Sequence, residues 1–151
     1  MTMFKLPKKM LFAIEAVIDI AYNAGGSPVQ NNEITKRQGI PKRYLEQVLQ
    51  KLVRSELLIS IRGPGGGYKL ARERRRITLG DICRVVKSPS IKDSITETGS
   101  QIDQKIIEPL WKEIQSDLMK KLDTITIEDI CMKSREQNIK SKMEDNIDFS
   151  I

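Results

Sequence analysis

Histidine is absent from the 151 residues, and cysteine occurs only twice, at Cys83 and Cys131. The lack of histidine excludes acid–base catalysis by imidazole, Ser-His-Asp and Cys-His nucleophile pairs, and zinc sites with histidine ligands. Two cysteines far apart in the sequence do not make a structural zinc site either. We therefore expect no enzyme, and we assign no catalytic residue, no metal ligand and no cofactor.

Long hydrophobic runs are also lacking, because no segment approaches the ~18 consecutive apolar residues that a membrane span needs. The first apolar stretch, residues 10–21, is interrupted by Glu15 and Asp19. It is not followed by the small-residue cleavage site of a signal peptide. Two thiols in a chain without an export signal predict a cytoplasmic protein that stays reduced.

Charge is distributed unevenly along the chain. Residues 1–87 contain 17 lysines and arginines against 7 aspartates and glutamates, which is a net charge of +10. Residues 88–151 contain 9 against 13, which is a net charge of −4. A basic half is attracted to a polyanion such as nucleic acid, and an acidic half is not. The sequence therefore favours nucleic-acid binding by the first half.

The first half predicts three helices. In the first helix, residues 11–22, the apolar residues that share one face are Leu11, Ile14, Ile18 and Ala21. Glu15 and Asp19 lie on the other face, which we expect to be exposed to solvent. A short helix over residues 32–38, capped by Asn32 and closed by Gly39, precedes a third helix over residues 41–55. The apolar stripe of the third helix is Leu45, Val48, Leu49 and Leu52. Two helices joined by a short turn that contains glycine are typical of a helix-turn-helix.

After the third helix, the apolar residues no longer recur at helical spacing, and this change predicts a β-hairpin. Residues 57–61 are mostly apolar, the turn 63–67 contains four glycines and Pro64, and a second short strand follows at residues 68–70. The turn is not a nucleotide-binding loop, because it lacks the Gly-Lys-Ser/Thr ending and no helix follows it. Its glycines suit either an ordinary tight turn or a tip that approaches DNA closely. A hairpin directly after a helix-turn-helix is called a wing.

The start of the third helix carries the candidates for base recognition, because the first residues of a recognition helix reach base edges in the major groove. These candidates are Lys42, Arg43, Tyr44, Glu46 and Gln47. Arginine can bond guanine, glutamine can bond adenine, and a carboxylate can bond cytosine. The candidates at the hairpin tip are Arg62, Gly63, Pro64, Gly65 and Gly66. The arginine-rich run 72–76 is either a solvated surface or a set of phosphate contacts beside the wing.

The second half predicts a polar loop over residues 89–105 and then a long amphipathic helix. Apolar residues recur every three or four positions from Ile102 to Leu122, and we expect the helix to start near Pro109 after a separate turn. Its apolar face either covers the domain core or forms a dimer interface, and helix-turn-helix proteins usually bind DNA as dimers. The candidate dimerisation residues are Leu110, Trp111, Ile114, Leu118 and Leu122.

Two short segments, residues 77–83 and 125–131, are similar to each other. Each has a threonine near its start, and each predicts a short capped helix. We interpret the similarity as the same local capping used twice, not as a duplication. Cys83 and Cys131 lie on the apolar sides of these helices, which is typical of inert buried thiols, although a redox role is an alternative.

Four strings of residues resemble a known family, the winged-helix regulators of the BadM/IscR/CymR type, also called the Rrf2 family. The strings are Arg37-Gln38-Gly39-Ile40, Tyr44-Leu45-Glu46-Gln47, Arg62-Gly63-Pro64-Gly65-Gly66-Gly67-Tyr68 and Leu79-Gly80-Asp81-Ile82. The resemblance covers residues 5–132. It implies a homodimeric bacterial transcription factor, usually a repressor, that acts on palindromic operators. It also implies that Arg43 and Glu46 read bases and that Arg62 and the glycine tip enter the minor groove.

One departure from the family pattern concerns its iron–sulfur members, which place three cysteines in the loop before the dimerisation helix. Residues 89–105 contain no cysteine, so the ligands of that cluster are lacking. The resemblance then leaves three means of regulation: a protein partner, a small molecule, or no effector.

We therefore predict a mainly α-helical fold with a small β-hairpin wing. The expected organisation is a winged helix-turn-helix DNA-binding domain (residues 1–88), a loop (89–105), a helical dimerisation region (106–135) and a disordered tail (136–151). The expected function is that of a homodimeric repressor, acting on genes of sulfur, cysteine or iron–sulfur metabolism. The alternatives are a redox- or iron–sulfur-responsive sensor with atypical ligands, and a winged-helix module that binds another protein.

Overall fold

The fold was analysed in a computed structural model, which describes residues 4–86 and 99–142. Six α-helices occur in these two ranges: α1 (Lys8–Asn23), α2 (Asn31–Gln38), α3 (Lys42–Arg54), α4 (Leu79–Val86), α5 (Glu108–Leu122) and α6 (Ile127–Glu136). A hairpin of two strands, β1 (Leu58–Ile61) and β2 (Gly67–Leu70), follows α3. No helix within these ranges is both long enough and apolar enough to cross a membrane.

The helix-turn-helix prediction is confirmed. Gly39 follows α2 in the left-handed conformation (φ 71°), and its N–H donates to the carbonyl of Thr35 at 2.9 Å. Pro41 then caps α3, where its missing N–H costs no helical hydrogen bond. The predicted Asn32 cap is wrong, because α2 begins one residue earlier. Gln30 holds the cap position, and its N–H donates to the Glu33 carboxylate at 2.7 Å.

The predicted buried face of α1 is only partly correct. Ala21 is buried and Ile14 and Ile18 are half-buried against the core, but Leu11 is exposed. The centre of the buried face lies to one side, where the fully buried residues are Ala13, Ala16, Val17 and Ile20. This face has small side chains because α1 is central and packs against α2, α3, α4 and α6. Small residues allow several helices to approach one helix closely, so the large apolar residues alone did not locate the centre of the buried face.

The β-hairpin is confirmed, and its antiparallel register pairs Leu58 with Leu70 and Ile61 with Gly67. A third segment joins it at one residue, because the N–H groups and carbonyls of Val29 and Tyr68 bond reciprocally at 3.0 and 2.8 Å. A Cβ at Gly67 would overlap the Val29 carbonyl, so only glycine permits this approach. The wing is thus fixed to the residues that precede α2.

The long helical segment begins earlier than predicted. Residues 101 and 102 are already helical, and a π-helical turn (Asp103–Ile107) leads directly into α5, so residues 101–105 do not belong to a loop. Proline lacks an N–H and clashes with the carbonyl four residues before it. The wider π turn directly before α5 accommodates Pro109 in the first turn without ending the helix. Residues 89–98 of the predicted loop lie outside the described residues.

The prediction of a disordered tail from residue 136 is wrong for residues 136–142. Helix α6 includes Glu136, and the chain then returns to α1. The Tyr22 hydroxyl donates to the carbonyl of Ile139, and the N–H of Lys142 donates to Asn23 Oδ1 at 2.8 Å. The Lys142 ammonium also bonds Glu33 at 2.9 Å. Specific polar contacts hold this segment, and an apolar period does not reveal such contacts. Residues 143–151 lie outside the described residues.

Candidate nucleic-acid interface

Helix α3 separates apolar from polar side chains. Leu45, Val48, Leu49 and Leu52 are buried in the core, which fixes the rotation of the helix. The five predicted base-recognition residues are all exposed: Lys42, Arg43, Tyr44, Glu46 and Gln47. Tyr44 differs from the other four, because its ring stacks on Phe12 of α1 at a centroid distance of 6.1 Å. The structure therefore presents two cations, a carboxylate and an amide on the outer side of α3.

The hairpin tip is exposed at Arg62, Gly63, Pro64 and Gly65 and half-buried at Gly66. Gly63 and Gly65 adopt positive φ angles of 97° and 77°, which favour glycine. A Cβ at Gly66 would overlap the Ile61 carbonyl, and the Gly66 N–H closes the turn on the Gly63 carbonyl at 2.9 Å. The tip is therefore narrow, and it carries the Arg62 guanidinium at its base.

A cleft of about 480 Å³ lies between α3 and the hairpin. Lys42 and Glu46 line one wall, and Ser60 and Ile61 line the other. Residues 30–32, at the start of α2, form the end of the cleft, and none of them was among the predicted DNA-binding residues. The first helix of a helix-turn-helix crosses the nucleic-acid backbone. This general geometry could have indicated the start of α2 as part of the interface.

A buried ion pair fixes α2 relative to α1. The Asp19 carboxylate, which is 1% exposed, accepts hydrogen bonds from Arg37 Nε at 2.9 Å and Arg37 Nη2 at 2.8 Å. Gln38 Nε2 donates a third bond to it at 2.8 Å. The sequence analysis placed Asp19 on the solvent side of α1. Arg37 and Gln38 end α2 directly before the turn, so this pair orients the entry into α3.

The arginine-rich run after the hairpin is partly used within the chain. It forms a short 3₁₀ turn (Arg74–Arg76), and the Arg74 guanidinium pairs with Glu128 of α6 at 3.1 Å. Arg75 pairs with Glu73 at 2.7 Å. Arg74 therefore connects the end of the wing to α6, a role that neither of the two interpretations of this run included.

The long helical segment has an exposed apolar face. Leu110, Trp111, Ile114 and Leu118 are 45–57% exposed, whereas Leu122 is half-buried within the chain. Ile102, Ile106 and Ile107 extend the exposed set toward the N-terminal end of the segment. The Phe4 ring lies 6.0 Å from the Trp111 ring. Because α5 buries none of its residues within the chain, the apolar face is not used to cover the domain core. A contiguous apolar surface of this kind marks an interaction site.

Both thiols are buried, as expected from the apolar sides on which they lie. Cys83 lies on α4 and Cys131 on α6, and they are 3% and 0% exposed. Burial raises the pKa of both thiols, which disfavours the reactive thiolate. Within residues 4–86 and 99–142, no three side chains of the metal-binding types lie close enough together to hold an ion.

Three comparisons agree with this architecture. Residues 6–133 match the Rrf2 family, described as "Iron-dependent Transcriptional regulator". The chain is 34% identical to the HTH-type transcriptional regulator IscR of Sodalis glossinidius over 128 residues, which cover 83% of this chain and 78% of the relative. It is 32% identical to IscR of Aliivibrio salmonicida over 149 residues, which cover 97% and 88% of the two chains.

Solved structures give the same result. IscR of T. potens superposes with a TM-score of 0.76 at 31% identity, covering 91% of this chain and 93% of that one. CymR, the global cysteine regulator of B. subtilis, superposes with a TM-score of 0.69 at 30% identity, covering 87% and 98%. These relatives agree with the winged helix-turn-helix and with the exposed polar side of α3. The chain therefore belongs to the Rrf2 family, and it is a DNA-binding transcriptional regulator and not an enzyme.

Proposed function

We propose that the protein is a homodimeric, cytoplasmic repressor that binds a palindromic operator. The observation that carries this proposal is the pairing of two exposed surfaces on one chain. The polar side of α3 faces solvent beside the wing, and an apolar face of α5 lies exposed in the other half. Two chains joined through α5 would present two recognition helices, which is how helix-turn-helix dimers match two half-sites.

We propose a division of labour along the chain. Residues 1–88 act as the DNA-binding domain, and residues 106–135 act as the dimerisation region, whose helical segment begins at residue 101. Five residues are proposed for the dimer contact: Leu110, Trp111, Ile114, Leu118 and Leu122. Leu122 takes a smaller part than the other four, because it is already half-buried within its own chain.

We propose that α3 reads bases in the major groove through Arg43, Glu46 and Gln47, while Lys42 anchors a phosphate and Tyr44 positions the helix against Phe12. Arg62 and the tip residues Gly63, Pro64, Gly65 and Gly66 would enter the adjacent minor groove. Exposure of these side chains around one cleft supports the assignment. An arginine bonds the O6 and N7 atoms of guanine with two hydrogen bonds, which makes Arg43 the strongest candidate for sequence discrimination.

Replacement of Arg43 by alanine is expected to relax specificity at one base position per half-site by ~1–3 kcal/mol, because a bidentate contact to one base is lost. The measurement is competition binding against a set of operators that differ at single positions. Gln50→Ala, an exposed change two turns further along α3, is the matched control. An Arg43→Ala protein that keeps the wild-type preference at every position contradicts the assignment.

Replacement of Arg62 by alanine is expected to weaken operator binding while leaving the major-groove preferences intact, because a wing contributes contacts outside the bases that α3 reads. Affinity for the wild-type operator and for single-position variants would be measured in parallel. Arg135→Ala changes an exposed arginine of α6, outside the proposed DNA-binding domain, and serves as the control. Undiminished affinity of the Arg62→Ala protein would contradict the proposed role of the wing.

The iron–sulfur cluster that the family resemblance brings into question does not fit this chain. Cluster ligation needs several accessible thiolates, whereas the whole sequence has two cysteines and no histidine. Both thiols are buried, and Cys131 belongs to the hydrophobic core. We therefore propose regulation through a protein partner or a small molecule. From the family resemblance and the description of CymR as the global cysteine regulator of B. subtilis, we propose target genes in sulfur, cysteine or iron–sulfur metabolism.

The test is selection of bound DNA from a random library, followed by binding of the selected sequence and a scrambled one at two salt concentrations. The proposal expects a palindrome that is preferred by ~10³-fold or more over the scrambled sequence. Binding that depends strongly on salt but prefers no sequence would reflect charge attraction alone. That result would contradict the repressor and favour a winged-helix module that binds another protein.

A further inference from the structure

The two similar segments of the sequence are both helix caps. The Thr78 hydroxyl accepts from the Asp81 N–H at 3.1 Å, while the Asp81 carboxylate accepts from the Thr78 N–H at 3.0 Å. Thr126 and Asp129 form the same pair of bonds at 3.1 and 3.0 Å. The first cap begins α4, in the DNA-binding half, and the second begins α6, directly after α5.

The two caps are also bonded to each other. Thr78 lies opposite Thr126 in an antiparallel bridge. The Leu79 N–H donates to the Ile125 carbonyl, and the Ile127 N–H donates to the Ile77 carbonyl, both at 2.9 Å. We call residues 77–81 and 125–129 the paired caps. They join the two halves of the chain at the point where α5 ends, although they lie almost fifty residues apart in sequence.

Side chains reinforce the paired caps on both sides. Arg84 of α4 forms an ion pair with Asp123, the residue that follows α5, and this hydrogen bond lowers the pKa of the Asp123 carboxyl. A Cβ at Gly80 would overlap the same carboxylate, so a larger residue at this position would displace the Asp123 side chain from its pair with Arg84. On the other side, Glu128 pairs with Arg74 in the turn that follows the wing.

We infer that the paired caps act as a rigid joint that sets the angle between the DNA-binding half and α5, and thereby the half-site spacing that the dimer accepts. This inference rests on the proposed homodimer. One base pair of added spacing moves a half-site by ~3.4 Å and rotates it by ~34°, because one helical turn of DNA spans ~34–36 Å and about 10–10.5 base pairs. If the joint is rigid, such a shift prevents the second chain from contacting its half-site well. If the joint is flexible, the second chain can move to follow the half-site. Gly80, Arg84 and Asp123 are positioning residues in this account.

The test compares full-length wild-type, Gly80→Ala and Arg84→Ala proteins on the selected palindrome and on versions with one base pair added or removed at its centre. The wild-type protein is expected to lose about tenfold or more in affinity on the altered spacings, because simultaneous binding of both half-sites is impaired. Gly80→Ala turns the Asp123 side chain away from Arg84, and we expect the preference for the original spacing to fall to about threefold. Arg84→Ala leaves all backbone hydrogen bonds of the paired caps intact. It is also expected to reduce the preference for the original spacing over the altered ones.

Glu108→Gln is the control, because it breaks the Glu108–Lys112 pair on α5 far from the joint, and it should keep the wild-type spacing preference. The oligomeric state and melting temperature of each variant are measured alongside. If both variants bind every operator spacing more weakly by the same factor, the optimal spacing and the ratio of affinities stay unchanged. Gly80 and Arg84 would then have a merely structural role, and the proposed joint would be overturned. A wild-type protein that binds as a single chain would instead contradict the proposed dimer itself.

Discussion

An Ile114→Asp protein is expected to be monomeric and to bind a two-half-site operator about 10²–10⁴-fold more weakly than the wild type. This range is the gain that linking two binding modules provides. Ile114 lies in the middle of the exposed apolar face of α5, with Leu110 and Leu118 one turn away on either side. A carboxylate buried in such an interface without a partner would have to lose its water, which costs more than the contact returns.

The control for this prediction is Gln115→Asp, which adds the same charge on an exposed neighbouring position of α5. The oligomeric state is measured by light scattering, and affinity is measured on a full palindrome and on an isolated half-site. The Ile114→Asp protein should bind the isolated half-site as the wild type does, because its DNA-binding half is unchanged. An Ile114→Asp protein that remains dimeric with full affinity would contradict the proposed interface.

An Arg37→Ala protein is expected to lose ~3–5 kcal/mol of unfolding free energy, because the change leaves a buried carboxylate without its cation. The Asp19 side chain is fully buried and would keep only the hydrogen bond from Gln38. Asp19→Ala should cost less, since the Arg37 side chain is 27% exposed and can be solvated once its partner is removed. Removal of Arg37, the more exposed residue of the pair, should therefore destabilise the protein more than removal of Asp19.

Urea unfolding of the two single variants and of the double variant tests this asymmetry. The double variant should be more stable than Arg37→Ala alone, because it removes the stranded carboxylate. Lys36→Ala, an exposed neighbour on α2, should change stability by no more than ~0.5 kcal/mol. Equal losses in the two single variants, or a double variant less stable than Arg37→Ala, would contradict the account of this ion pair.

The parts of the fold that the sequence predicts well are those with local causes. Gly39 and Pro41 mark the turn between α2 and α3 because each suits a backbone geometry that few other residues tolerate. The stripe of Leu45, Val48, Leu49 and Leu52 fixed the rotation of α3, and that rotation decided which polar residues face outward. The hairpin was also predicted from a local cause, the glycine-rich turn at residues 63–67.

The features that escaped prediction depend on contacts between distant residues. Asp19 resembled a solvent-facing acid, and only Arg37 and Gln38, eighteen and nineteen positions later, explain its burial. The similarity of residues 77–83 and 125–131 was recognised, but periodicity does not show that the two caps bond each other. Pro109 suggested a helix start because proline usually marks one, whereas a π turn carries the helix through it.

The most direct measurement of the central claim is the mass of the complex between the wild-type protein and the selected palindrome, determined by light scattering. The account predicts two chains on one palindrome, and still two chains, bound with lower affinity, when one half-site is scrambled. A complex of one chain per palindrome, with an affinity that does not depend on the second half-site, would contradict the dimeric regulator.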